Sequence, residues 1–172
     1  MTTIEQLRPK SLHTQDVMGV LLYHELARVQ RYAIPVTLLR ITVEYPNQSN
    51  ADYVEGAKRI VTHILTANLR AVDAAGHYEK DYLAMLTITD EPGAMIVAKR
   101  LSKLLYTTHP LRNAQQLELV PFIGLAALPE KTAISVENFI GRSTRALANA
   151  RRLAPGSIAS FNQMGKTTAN LG

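Results

Sequence analysis

The stretch "LRAVDAAGHYEKDYLAML", residues 69–86, gathers side chains that could do chemistry. Arg70 and Asp73 stand three positions apart. They can form an ordinary surface ion pair worth ~0–1 kcal/mol, or offer a guanidinium and a carboxylate together to a ligand. Beyond them the pattern predicts a strand near 71–78, a two-residue turn at Glu79 and Lys80, and a second strand near 81–88. Such turns favour Asn-Gly, Asp-Gly or Gly-Gly, because both central residues need φ > 0. Neither Glu79 nor Lys80 adopts that conformation cheaply.

The remaining reactive residues make no catalytic constellation. His24 and His63 fall on separate predicted helices, without the H-x-x-x-H or H-E-x-x-H spacing that holds zinc. His13 and His109 read as loop residues and His77 as a surface residue. There is no Ser–His–Asp arrangement and no phosphate-cradling glycine loop. Arg142, Arg145, Arg151 and Arg152 give a late helix a basic face, solvated by default, with a protein or nucleic-acid contact as the second reading.

The elements that must position these residues follow from hydrophobic period. "DVMGVLLYHELARVQRY", from Asp16, is an amphipathic helix with an Asp cap and basic residues near its end. "VTLLRITVEY" is a β-branched strand, and "ADYVEGAKRIVTHILTANL" a second helix. After the hairpin, "DEPGAMIVAKRLSKLLY" is a helix with Pro92 in its first turn. "LELVPFIGLAAL" is a strand, Ser135 caps "VENFIGRSTRALANARRL", and "GSIASF" closes with a short strand. The order α-β-α-β-β-α-β-α-β holds a central βαββαβ: an α+β, ferredoxin-like palm with a mixed sheet, flanked by extra N- and C-terminal helices. Residues 1–15 are expected to be a flexible lead, 16–162 the single domain and 163–172 a loose tail.

Composition agrees. A chain of 172 residues, 47% apolar and 19% charged, can bury one sizeable core. The absence of cysteine excludes disulfides and thiolate metal sites and suits a reducing cytoplasm. A net charge of +5 suits an anionic partner, though many ordinary domains carry as much. No apolar run is long enough to cross a bilayer, and the N-terminus lacks a signal-peptide core.

In this frame the chain resembles the GGDEF domains of diguanylate cyclases. Their hairpin segment, of the type R-x-x-D-x-x-x-R-x-G-G-D/E-E-F, lies over Arg70, Asp73, His77, Glu79, Lys80, Asp81, Tyr82 and Leu83. "ELARVQRY" (25–32), "FIGLAAL" (122–128) and "STRALANARRLAPG" (143–156) resemble further family landmarks in the right order, so the likeness runs from about Asp16 to Phe161. The resemblance implies a palm that condenses two GTP into cyclic di-GMP, but several positions depart from it. Glu79 and Lys80 replace the glycine pair. Tyr82 stands where a metal-binding carboxylate would, and Thr42 replaces the first-strand aspartate. Asp81 points to the other face by strand period, and Glu44 alone cannot rebuild a two-carboxylate Mg²⁺ site. Asn50 falls at the guanine-recognition position. The resemblance thus implies no enzyme, no Mg²⁺ and no other cofactor.

The family's product-inhibition site is matched by Arg70 and Asp73, with Arg100 as the helix arginine after a one-residue gap. An arginine can read the O6/N7 edge of guanine for ~1–3 kcal/mol of discrimination, by analogy with DNA readout. An aspartate can accept from its N1–H and amine, and a second arginine can pair with phosphate or stack on a base. The implied function is a catalytically inactive, cytoplasmic receptor in bacterial signalling. It would bind cyclic di-GMP at Arg70, Asp73 and Arg100 and regulate an unidentified protein partner. Membrane and nucleic acid are not expected as partners, and a homodimer stays open. The alternative is a nucleotide-independent interaction scaffold on the same fold. A third reading, GTP binding without turnover through Asn50, is opposed by the bulky Glu79–Lys80 turn.

Overall fold

The computed structural model describes residues 11–166. Expectations for residues 1–10 and 167–172 lie outside the described residues. Helix α1 (Gln15–Tyr32) is capped by the Thr14 hydroxyl, which accepts from the Val17 N–H; Asp16 sits in its first turn rather than at the cap. β1 (Val36–Glu44) and α2 (Ala51–Asn68) follow, then the hairpin β2 (Ala74–Tyr78) and β3 (Asp81–Thr87). α3 (Glu91–Leu105) is capped by Asp90 and carries Pro92 in its first turn. Next come β4 (Thr108–Pro110), β5 (Gln116–Glu118), β6 (Val120–Leu128), α4 (Val136–Ala150), β7 (Ile158–Ser160) and the short α5 (Phe161–Met164).

Five strands form one sheet in the order β2-β3-β1-β6-β7. Its first four members have the βαββαβ palm arrangement, antiparallel throughout, and β7 adds a parallel edge to β6. Period two sorts β1 onto two cores. Leu39 and Ile41 join Ala84, Leu86, Ile123 and Leu125 beneath α2 and α3. Val36 and Leu38 join Leu83, Met85, Ala126 and Leu128 beneath α1 and α4. Arg40 continues that second set and is buried. At Gly124 a Cβ would collide with the backbone of Ser143 and Leu147, so α4 lies directly on β6.

The structure differs from the sequence expectations at several points. The first hairpin strand begins at Ala74, because Asp73 N–H bonds to the Arg70 carbonyl and closes a turn over 70–73. The strand expected from Leu117 breaks at Leu119, and β5 pairs with β4 in a small separate sheet. His109 therefore lies in a strand, not a loop. His13 is also no loop residue: it bridges to Gly76, donating its N–H to Ala75 O at 3.0 Å and accepting from His77 N at 2.9 Å. α5 begins at Phe161 and runs into the segment expected to be a loose tail.

Candidate functional site

The hairpin carries candidate residues at both ends. At its base, where α2 hands over to β2, Asp73 is almost fully buried, with a side chain 3% exposed. Its Oδ1 accepts from Thr87 N–H at 3.1 Å and from Arg70 Nη2 at 3.0 Å. Its Oδ2 accepts from Arg70 N–H at 3.0 Å and Nε at 3.2 Å. Both oxygens are thus committed, and the carboxylate holds the turn closed and Arg70 in place.

Arg70 is itself 56% exposed on its side chain. Nη2 also donates to Thr87 O at 2.6 Å and Thr89 Oγ1 at 2.8 Å. Nη1 donates to no acceptor among the described residues. The Asp73 hydrogen bond, chiefly, raises the Arg70 pKa above its ordinary value; burial pulls the other way, and the Asp73 charge adds a smaller upward push. The outcome is a permanent cation with a fixed rotamer and one free end. Arg100, exposed on α3, donates from Nη2 to the Asn68 carbonyl at 2.7 Å, which places its guanidinium at the same α2–β2 corner. The structure therefore brings all three expected residues to one corner. Two of them present cations outward, while Asp73 faces inward.

The hairpin tip is different. Of the two turn residues only Glu79 takes a positive φ, +52°, so Lys80 escapes the strain expected for both. Glu79 N–H donates to Gln15 Oε1 at 2.8 Å, and its carboxylate accepts from Arg40 Nη2 at 2.8 Å. Arg40 then organises the face beneath α1 and α4. Its Nε donates to Asp81 Oδ2 at 3.0 Å, its Nη1 to Thr144 Oγ1 at 2.9 Å, and its guanidinium lies 4.7 Å from the Tyr78 ring centre. Sequence reasoning missed this residue. The available signal was a lone charge inside an otherwise apolar strand, which must be paired if buried.

Tyr82 faces the other way, packed against the α2–α3 core, as strand period requires relative to Asp81. Burial first, then the Tyr45 and Asp81 charges, push its phenol pKa up to about 12. Leu83 is simply core, with no exposed surface. Thr42, Tyr82, Lys80 and Lys58 border a cleft of about 570 Å³ with Tyr45, Glu44 and Arg151. Glu44 is ion-paired to Arg151, so that arginine is not part of a merely solvated face. Asn50 caps α2, accepting from Asp52 N–H at 2.9 Å. His24 and His63 lie apart on α1 and α2; His77 is exposed, its ring 5.4 Å from that of Tyr82.

No family model matches the chain, and no curated protein matches it in sequence. Its fold is nevertheless that of GGDEF domains, the diguanylate cyclase palm. The diguanylate cyclase SiaD of Pseudomonas aeruginosa, solved with its activator SiaC, is similar with a TM-score of 0.78 and 19% identity. That match covers 88% of this chain and 60% of SiaD. The active GGEEF domain of a diguanylate cyclase from Vibrio cholerae is similar at 0.73 and 16% identity, over 87% of this chain and 97% of that one. The GGDEF domain of DgcB from Caulobacter crescentus, solved with cyclic di-GMP, is similar at 0.75 and 10% identity, over 90% and 94%.

These likenesses correct one expectation. The chain was expected to be no enzyme, yet the domains that share its fold include diguanylate cyclases, one of them described as active, which overturns that expectation. The cleft's donor set does not fit the Mg²⁺ that cyclases of this fold would need: Thr42, Lys80 and Tyr82 bring hydroxyls and an ammonium, Glu44 is tied to Arg151, and Glu118 is the one other carboxylate on its wall. Among the described residues no three His, Cys, Asp or Glu side chains gather as a cation site. No helix among them is long and apolar enough to cross a membrane.

Proposed function

We propose that this protein is a GGDEF-fold signalling domain that binds cyclic di-GMP at the corner formed by Arg70 and Arg100 and regulates a partner protein. The observation that carries the reading is the state of Arg70. Its rotamer is fixed by Asp73, Thr87 and Thr89, while Nη1 stays free at the surface. Little side-chain entropy is then left to lose on binding, which favours a ligand that offers acceptors to a guanidinium, such as a guanine edge or a phosphate. Arg100 supplies a second cation beside it. In this reading Asp73 positions Arg70 and need not touch the ligand, and binding takes place without a divalent cation. The cyclic di-GMP held by the DgcB domain supports the ligand class, and the activator bound to SiaD supports the idea of a protein partner.

The test is isothermal titration with cyclic di-GMP in EDTA, beside Arg70→Gln, Arg100→Ala and a GTP control. Low-micromolar or tighter binding is expected, weakened about 5- to 150-fold by Arg70→Gln. No heat at saturating dinucleotide would overturn it. A second reading, a nucleotide-independent interaction scaffold, is favoured by the exposed Val17, Val20 and Tyr23 on α1. A silent titration together with partner binding would select it.

A further inference from the structure

A second concavity lies on the sheet face beneath α1 and α4, away from the Arg70 corner. It is an open groove of about 1040 Å³ between the hairpin tip, the first turns of α4 and Phe161. Its walls are partly apolar, with Tyr78, Ile134, Ile140 and Phe161. On the rim Arg142 and Arg145, one helical turn apart on α4, lie 5.2 and 5.4 Å from the Phe161 ring centre. Among the described residues neither donates a hydrogen bond or joins an ion pair. Arg40 also borders the groove, but Asp81 and Glu79 already neutralise it.

We propose that this groove docks a helical segment of a partner protein that carries two carboxylates one turn apart beside an apolar anchor. Charge complementarity selects this occupant. Two guanidiniums at i and i+3 match carboxylates at i and i+3 or i+4 on a facing helix. Stacking on Phe161 restrains both before contact, so their ordering costs less on binding. The apolar walls provide the pocket that an anchoring side chain needs. A small metabolite fits less well, since the groove is as large as the upper end of small-ligand sites and open along its length. A nucleic acid fits less well too. Glu79 and Glu137 border the same groove, and two free cations fall short of the six to ten phosphate contacts of a typical binder.

The inference rests on the proposed signalling role, because it names the surface by which that role reaches a partner. The two are separable, since the groove lies at the opposite end of the hairpin from Arg70. The experiment places benzoylphenylalanine at the exposed Asn138 of the full chain in cells of the source organism. Adducts formed on irradiation are mapped by mass spectrometry. The expected adduct is a protein segment with carboxylates one turn apart beside apolar residues. Its yield falls about tenfold or more in R142E/R145E and returns when the partner's carboxylates are changed to lysine. Adducts that persist in R142E/R145E, adducts only with nucleic acid or with a second copy of this chain, or no adduct at all would overturn it. Circular dichroism checks that R142E/R145E is folded. Titration of the same variant with cyclic di-GMP, expected unchanged, tells a failed groove from a failed receptor reading.

Discussion

Arg40 Nε meets Asp81 Oδ2 at 3.0 Å in the middle of the sheet, with side chains only 7% and 5% exposed. This pair joins the central strand to the hairpin, and through Thr144 and Glu79 it also reaches α4 and the hairpin tip. Asp81 Oδ1 is buried without a partner, so the pair is not fully satisfied. Breaking one side of it would strand a charge.

Arg40→Met is therefore expected to lower stability by about 3–5 kcal/mol, because Asp81 stays behind in an apolar site. The double variant Arg40→Met/Asp81→Leu should recover most of that loss. Urea unfolding of wild type, both single variants and the double variant checks it. A double variant as unstable as the singles would contradict the assignment.

At the other end of the hairpin, Asp73→Ala removes the acceptor of Thr87 N–H and the carboxylate that holds Arg70, leaving that guanidinium only Thr87 O and Thr89 Oγ1. A loss of about 1–3 kcal/mol is expected, while Arg100→Ala, exposed and bonded only to one carbonyl, should stay within about 0.5 kcal/mol. Denaturation midpoints at constant slope give the comparison. If Asp73→Ala were neutral, the carboxylate would not be the strut that the bonding pattern makes it.

Ala33 ends α1 in the left-handed region at φ +53°, with its N–H bonded to Val29 O. Glycine takes this conformation without the Cβ penalty. Ala33→Gly should stabilise the protein by about 0.5–1 kcal/mol, raising the thermal midpoint. A lower midpoint would count against the cap.

The Tyr82 phenol, with its pKa pushed up to about 12, couples stability to alkaline pH. The folded state holds this proton more tightly than the unfolded chain, whose tyrosine titrates near 10. Its contribution is complete below pH ~10 and is lost as pH rises towards 12. Tyr82→Phe should flatten stability across that window, followed by chemical unfolding at a series of pH values. An unchanged slope would show that other groups set it.

Much of this protein was legible in one dimension. Period two and period 3.6 are local properties, so Leu39 against Leu38, and Val61 with Ile64 and Leu65, announce strand faces and helix stripes without knowledge of the fold. The R-x-x-D turn is also local, since Arg70 and Asp73 meet within four residues. The cap at Ser135 was readable for the same reason, whereas the cap expected at Asp16 falls two residues earlier, at Thr14. What the sequence could not determine were the contacts between distant positions. Whether Arg40 is a flaw or a hub depends on Asp81, 41 residues on, and Thr144, 104 residues on. At the tip only Glu79 takes the positive φ expected of both turn residues, and the groups that hold it, Gln15 and Arg40, are not its sequence neighbours. Arg142 and Arg145 became a groove rim only once Phe161 folded beneath them. Sequence sets which face each residue belongs to, because backbone geometry fixes that within a few bonds. Tertiary structure alone decides which charges meet, because burial and partner choice arise only when the elements pack.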